Sequence, residues 1–417
     1  MKRIIFISIL ISVSLLNAFS TPSSTPFAGS FMQRANGVDA IYWNPANLAN
    51  YNTKSEITIL PISFKAYNNA FSIDLYNDLM VDYLTQDLKD QLLNEMNGNL
   101  NINLEFNTIL FAYASNNFGL SFGTLFNTYA KIDEQYLELI LNGNEYERDY
   151  MFTKKDNDVS LLAIQDITLA FGGYSLNYLL PSSMDYLPKT KYGFSFSFLS
   201  GATGQMDEFR GLFRAGDGGM NLDQNTTLHY GGGFGYKAMF GISSELIDAK
   251  PYNLSVGMTI DNILGTMKNS ISCEAHEFSI LAEDVYVAHL DRDFFTEQDT
   301  SYTINSFSTE LPMKYALGFL LKAGNLSGSL DFAKYSKPSA FGSDLLDTSI
   351  GIEYELLDMF PLQAGYMLAN DAHPSITAFG FGLRMKYWDG SIGFQLYDSV
   401  GQSSKGTAIS AQMKFRF

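Results

Sequence analysis

Apolar and polar residues alternate in short runs along much of this chain. In 313–321, Met313, Tyr315, Leu317, Phe319 and Leu321 fall on one side, and Lys314, Ala316 and Gly318 on the other. Phe379, Phe381, Leu383, Met385 and Tyr387 likewise oppose Ala378, Gly380, Gly382, Arg384 and Lys386. Ile392, Phe394 and Leu396 oppose Ser391, Gly393 and Gln395, while Leu326, Leu330 and Phe332 oppose Ser327, Ser329 and Asp331. Successive side chains of a strand point to opposite faces, so each run predicts a strand with one apolar and one polar face. Each is about the length of a strand tilted across a bilayer. Upstream, 100–114 and 118–131 predict a hairpin through Ser115-Asn116-Asn117, with Phe118, Leu120, Phe122 and Phe126 on its apolar face. Further strands are expected near 56–66, 161–179, 190–200, 226–240, 252–264 and 272–287. The total is about 14.

Two stretches have helical spacing instead. In 85–97, Leu88, Leu92, Leu93 and Met96 share a stripe, with Thr85 placed to cap the start and Gly98 the end. In 133–142, Asp133 is placed to cap the start and Gly143 to stop the helix. A lipid-exposed helix inside a barrel wall is excluded, so both belong to loops or to the lumen.

The connections alternate in length. Back from the C-terminus, 398–405 reads as longer and 388–390 (Trp388-Asp389-Gly390) as tight. Next, 369–373 is intermediate, 357–359 short, 335–345 long, 323–325 tight and 289–311 long. Short turns at one end and long loops at the other are the pattern of an outer-membrane barrel. In such a barrel Lys314, Asp331, Arg384, Lys386, Lys414 and Arg416 would point inward, giving a polar lumen near the C-terminal strands.

The last run, 407–417, sets Thr407, Ile409, Ala411, Met413, Phe415 and Phe417 against Ala408, Ser410, Gln412, Lys414 and Arg416. It reads as a closing strand, and Phe415 with Phe417 resembles the terminal aromatic signal read by barrel-insertion machinery. At the other end, Lys2 and Arg3 precede an apolar run at 4–16, then Ala18-Phe19-Ser20, a small-x-small site. That arrangement predicts a cleaved signal peptide over 1–20.

Composition agrees. Mean hydropathy is −0.03, as expected when lipid-facing and lumen-facing residues cancel in every window. The 25 Tyr and 33 Phe suit aromatic girdles, and a single cysteine excludes an intramolecular disulfide framework. Outer-membrane lipid is thus an expected partner. A net charge of −17 argues against nucleic acid, which needs basic patches. Acidic groups such as Asp291-Arg292-Asp293 and Glu297-Gln298-Asp299 read as solvated loops.

Residues 27–50 precede any strand and run F-A-G-S-F-M-Q-R-A-N-G-V-D-A-I-Y-W-N-P-A-N-L-A-N. The segment resembles the N-terminal plug of long-chain fatty-acid transporter (FadL-like) barrels and of PorV/PorQ-type barrels. There a Gly- and Ala-rich stretch leads to an N-P-A-x-L-A sequence, matched here by Asn44-Pro45-Ala46 and Leu48-Ala49. Leu254 to Asn262 resembles a recurrent L-x-x-G-x-x-x-x-N strand of that superfamily. Gly351-Ile352-Glu353-Tyr354 with Leu362-Gln363-Ala364-Gly365-Tyr366 resembles its G-x-E-Y and L-x-x-G-Y pair. The paired small residues upstream are reduced to Ala28-Gly29-Ser30 and Ala35-Asn36-Gly37.

The resemblance implies an all-β, antiparallel transmembrane barrel with a lumen plug. Residues 21–54 would form the plug and 55–417 the barrel. Trp43, Asn44, Pro45 and Ala46 are the expected plug motif. Proline fixes its own φ and keeps Asn44 extended, an asparagine side chain bonds nearby backbone in a turn, and Trp43 can wedge the plug against the wall. FadL-like barrels imply passage of a small hydrophobic molecule; PorV-type barrels imply a docking platform for protein secretion or surface attachment.

No enzyme chemistry, cofactor or metal site is expected. Gly119-Leu120-Ser121-Phe122-Gly123 matches G-x-S-x-G, but a nucleophile elbow needs a strand-to-helix turn, and here the alternation runs through the serine. His229, His276, His289 and His373 lack metal-ligand spacing. Gly231-Gly232-Gly233-Phe234-Gly235 precedes no helix and reads as relief of crowding or a bend in a strand.

Overall fold

The alternating runs become the staves of a closed barrel. The structure is a computed structural model that describes residues 21–49, 55–79, 85–96, 98–179, 188–285, 295–337, 344–370 and 372–417. The expected signal peptide, the end of the expected plug segment, and Asp291-Arg292-Asp293 lie outside those residues.

The wall strands are β1 (Ser55–Ile59 and Ile62–Asn68), β2 (Asn99–Ser115), β3 (Phe118–Asp133), β4 (Asp149–Thr153 and Asp158–Ser175), β5 (Lys189–Gly216), β6 (Gly219–Ala249) and β7 (Tyr252–Val285). They continue as β8 (Phe295–Thr303, Phe307–Glu310 and Lys314–Ala323), β9 (Leu326–Tyr335), β10 (Asp347–Leu356), β11 (Phe360–Met367), β12 (Ile376–Arg384), β13 (Trp388–Tyr397) and β14 (Gly406–Arg416). Among the described residues these are 14 strands, each antiparallel to its neighbours. β14 pairs with β1, Ile409 opposite Phe64, which closes the barrel and leaves no edge at membrane level. Two breaks fall at prolines, Pro61 in β1 and Pro312 in β8, which have no N–H to give the ladder.

The apolar phase faces outward as the pattern requires. Phe194, Phe196 and Phe198 are exposed on β5 while Ser195 and Ser197 are buried. Ile350, Ile352 and Tyr354 on β10, and Ile409 and Met413 on β14, continue the belt. Rings stack across strands at Phe198–Phe234, 5.8 Å, and Phe196–Tyr236, 6.5 Å. A one-residue register slip would exchange the belt for the lumen face, so burial fixes the pairing.

Most short turns lie at one end of the barrel, Asn116-Asn117, Lys250-Pro251, Gly324-Asn325, 357–359 and 385–387, although the longer connection 176–188 shares that end and the two-residue turn Asp217-Gly218 lies at the other. The long connections 69–98, 134–148, 336–346, 368–375 and 398–405 gather at the other. We call these the turn end and the loop end. Helices Gln86–Met96 and Glu134–Asn142 lie at the loop end as expected. Thr85 Oγ1 accepts from Leu88 N at 3.4 Å, Asp133 Oδ1 accepts from Gln135 N at 2.9 Å, and Gly143 follows with φ +81°. Leu92, Met96 and Leu137 bury together against Leu100. A third helix, Ile73–Leu79, was not expected.

Some boundaries differ from the sequence reading. The tight turn is at Met385-Lys386-Tyr387, because Asp389 and Trp388 already pair with Lys414 and Phe415. Lys386 therefore sits exposed on a turn, its ammonium 4.9 Å from the Tyr387 ring, and does not enter the lumen. The stretches expected at 252–264 and 272–287 are one strand, β7, as far as Val285; 286 and 287 lie outside the described residues. Glu297-Gln298-Asp299 and most of 295–310 are strand, not loop. β5 to β8 run on past the apolar belt, where neither face needs apolar residues, so the alternation fades while the ladder continues. At 231–235 the glycines fall at an irregularity of the ladder: the β6–β7 register shifts at Tyr230/Gly232 and Gly232/Gly233.

Candidate functional site

Residues 21–49 fold inside the barrel as a chain of short helical turns, Pro22–Phe27, Gly37–Asp39, Ala40–Trp43 and Pro45–Asn47, almost all buried. So little regular structure leaves many main-chain groups without an internal partner, and the polar lumen face of the wall supplies them. Met32 N donates to Asp331 Oδ2 (2.7 Å), Val38 N to Glu56 Oε1 (3.1 Å), Gln395 Nε2 to Thr25 O (2.8 Å) and Ser410 Oγ to Pro22 O (2.9 Å).

The N-P-A turn is fully buried against β4–β7. Asn44 is extended, φ −157° and ψ 99°; its Oδ1 accepts from Ala46 N at 3.1 Å and its Nδ2 donates to Ile242 O at 3.1 Å. One side chain thus closes the turn and ties it to the wall. Pro45 and Ala46 press on wall glycines. A Cβ on Gly193 would lie 2.5 Å from Pro45 C, and one on Gly241 2.1 Å from Asn44 Oδ1. Trp43 turns the other way: its indole N–H donates to Thr21 Oγ1 at 2.9 Å, its ring meets Phe31 edge-on, and it lines a cavity.

The glycines form a girdle. Gly172, Gly193 and Gly241 are neighbours in register on β4, β5 and β6. Gly257 pairs with Gly318, Gly351 with Gly365, and Gly380 with Gly393. Phe27 lies over Gly351 and Gly365, Pro26 over Gly380 and Gly393, and Met32 over Gly318. Only absent side chains let the plug backbone approach this closely. Gly257, Gly351 and Gly365 are the glycines of the strand motifs noted in the sequence; the rest of the girdle was not expected. Its signal is one glycine on the inward phase of nine strands, β4 to β8 and β10 to β13, at a common height.

At the turn end the plug is bound by charge. Lys414 pairs with Asp39, whose other oxygen accepts from Ser23 Oγ at 2.7 Å. Arg416 reaches Glu56 (3.0 Å) and Asp389 (2.9 Å), and Arg384 reaches Glu355 (2.9 Å). From the plug, Arg34 donates to Ser329 Oγ, Ser327 Oγ and Gly351 O and lies over the Phe27 ring. Five of the six residues expected to point inward do so; Lys386 is the exception. Phe415 and Phe417 end the wall, Phe417 exposed and its N–H donating to Ser55 O at 3.0 Å.

Toward the loop end lies a cavity of about 540 Å³, floored by Met32, Tyr42 and Trp43 of the plug. Its walls carry Tyr67 and Tyr397, stacked at 4.4 Å, with Tyr129, Tyr335 and Met239. Charged groups stand among them, six of them in pairs: Lys65 with Glu105, Lys237 with Asp261 at 3.3 Å, and His373 with Asp347 at 3.0 Å; Lys131, Lys154, Lys155 and Asp158 line the cavity as well. Lys314 lies 5.3 Å from the Trp43 ring and 5.7 Å from the Tyr335 ring. Of these wall residues only Lys314, Asp331 and His373 were singled out in the sequence, and none as part of a cavity. Ser121 lies mid-strand and buried, with β3 straight through it. Among the described residues no cluster of three metal-ligating side chains occurs.

The fold recurs in solved structures. The toluene transporter TbuX of Ralstonia pickettii superposes with TM-score 0.51 at 11% identity, over 96% of this chain and 99% of that one. A FadL homologue of Pseudomonas aeruginosa does so with TM-score 0.51 at 10% identity, over 97% of this chain and 99% of that one. The fold is that of a FadL-type plugged barrel. No family model matches the sequence, and no curated protein matches it either.

Proposed function

We propose that this FadL-type barrel lies in an outer membrane and takes in a small, mainly hydrophobic molecule at its loop end. The molecule binds in the cavity above the plug. The observation that carries this reading is the cavity itself: about 540 Å³, within the usual range for small-molecule sites, closed below by the plug, with aromatic and sulfur side chains set among charged and amide ones. A protein of the same fold is described as a toluene transporter, which supports a hydrophobic cargo. The paired charges beside the rings favour a cargo with one polar group over a bare hydrocarbon. Trp43 touches the cargo, while Asn44, Pro45 and Ala46 hold the floor in place. Residues 1–20 serve as a cleaved signal peptide, and Phe415 and Phe417 as the insertion signal. The loop end then faces out of the cell.

The chain has 2 tryptophans. In a Trp388→Phe variant Trp43 is the sole reporter, and titration with toluene or 4-methylphenol should shift its emission saturably. An emission that follows bulk partitioning into detergent, with no saturation, would contradict cavity binding.

A further inference from the structure

β8 outruns its neighbour. Lys314–Ala323 pairs with β7 on one side and β9 on the other, but Phe307–Glu310 and Phe295–Thr303 pair with β7 alone. Past the belt, β4 to β8 therefore form an open sheet with two edges. The fold covers one of them. Against Asp149–Thr153 of β4 packs the helix Glu134–Asn142, with the Tyr136 ring edge-on to Phe152 at 5.1 Å and Glu138 paired with Arg148 at 3.0 Å. Against the other edge, Phe295–Thr303, no strand or helix lies among the described residues, and all but one of its residues are exposed.

That edge is aimed outward. Ile304 N donates to Cys273 O at 3.0 Å. In an antiparallel ladder main-chain groups alternate sides, so those of Thr303, Ser301, Asp299 and Glu297 point away from β7. The strand reads F-T-E-Q-D-T-S-Y-T, without the proline or lysine that most often blunts exposed edges; its only charges are the acidic Glu297 and Asp299. We propose that this edge is a docking site for an extended basic segment of another protein, which adds to β8 as a further strand. Main-chain bonding supplies the attachment in this mode and side chains the selectivity. Glu297 and Asp299 on the edge share a face with Glu274 on the next strand, and although Asp299 also meets His276 there, the acidic face makes the selectivity one for Lys and Arg. A second copy of this chain would set Glu297 and Asp299 against their own equivalents, and facing like charges destabilise a strand pair.

The test uses the whole purified barrel in detergent and three fluorescent nine-residue peptides: alternating Lys-Thr, the same sequence N-methylated at every amide, and alternating Glu-Thr. Anisotropy should show the Lys-Thr peptide bound. N-methylation and Ser301→Pro should each weaken binding at least about tenfold, since both remove edge bonds and leave charge unchanged. The Glu-Thr peptide should not bind. No binding of the Lys-Thr peptide would overturn the proposal. So would equal binding of its N-methylated form, which would show adhesion by charge without strand addition.

Discussion

The carbonyl oxygen of Pro45 fills the space in front of Gly172: a Cβ on that glycine would stand 1.7 Å from it. Plug and wall are therefore interlocked through backbone, and a single methyl group tests the lock. Gly172→Ala should displace the N-P-A turn at a cost of about 1–3 kcal/mol or more, as overpacking does. The wall ladder should survive. Limited proteolysis is the check: cleavage within 21–49 should accelerate while the barrel core stays resistant. Gly328→Ala, where a Cβ meets nothing within 4 Å, should behave as the unaltered protein.

Asn44 bonds both Ala46 N and Ile242 O from a fully buried position. Asn44→Ala leaves both partners unpaired and should cost about 1–3 kcal/mol. Asn44→Asp keeps the acceptor and loses the donor, so it should restore the turn but not the tie to β6. Denaturant unfolding gives the energies. Hydrogen exchange at Ala46 N–H, slow in the Asp variant and fast in the Ala variant, separates the two bonds.

Lys414 and Asp39 are a buried pair between the last strand and the plug. Removing one partner strands a buried charge, whereas removing both does not. Lys414→Met alone should therefore cost about 3–5 kcal/mol, and Lys414→Met with Asp39→Leu distinctly less. A double-mutant cycle on unfolding free energies reads the coupling. Strictly additive losses would mean that the pair does not hold the plug.

Asp133 caps the helix Glu134–Asn142 through Gln135 N. Asp133→Ala should cost about 1 kcal/mol, felt locally as faster hydrogen exchange over 134–142. If that helix also shields the β4 edge, exchange in Asp149–Thr153 should quicken with it.

Much of this barrel was legible from alternation alone. Residues such as Phe194 to Phe198 must show lipid one face and lumen the other, and that constraint writes a period of two into the sequence. It fails where the constraint lapses. Phe295–Thr303 lies beyond the belt, has no apolar face to present, and so looked like a loop. Around Lys386 the pattern ran past the strand end, since Met385 and Tyr387 on the turn continue the alternation by residue type. The plug motif was visible because Pro45 and Asn44 are demanded by local backbone geometry. The cavity was not, because Tyr67, Tyr397 and Trp43 come together only when β1, β13 and the plug are placed. The glycine girdle lies between these cases: each glycine is unremarkable alone, and only strand registration aligns them.

The central claim is that the space above the plug holds a small hydrophobic molecule. The direct test is mass spectrometry of an organic extract from the gently solubilised barrel, beside an Ala316→Trp variant that fills the cavity from β8. The expected result is a discrete lipophile, enriched over bulk membrane lipid in the native protein and lost from the variant. The same bulk lipid from both would contradict the account.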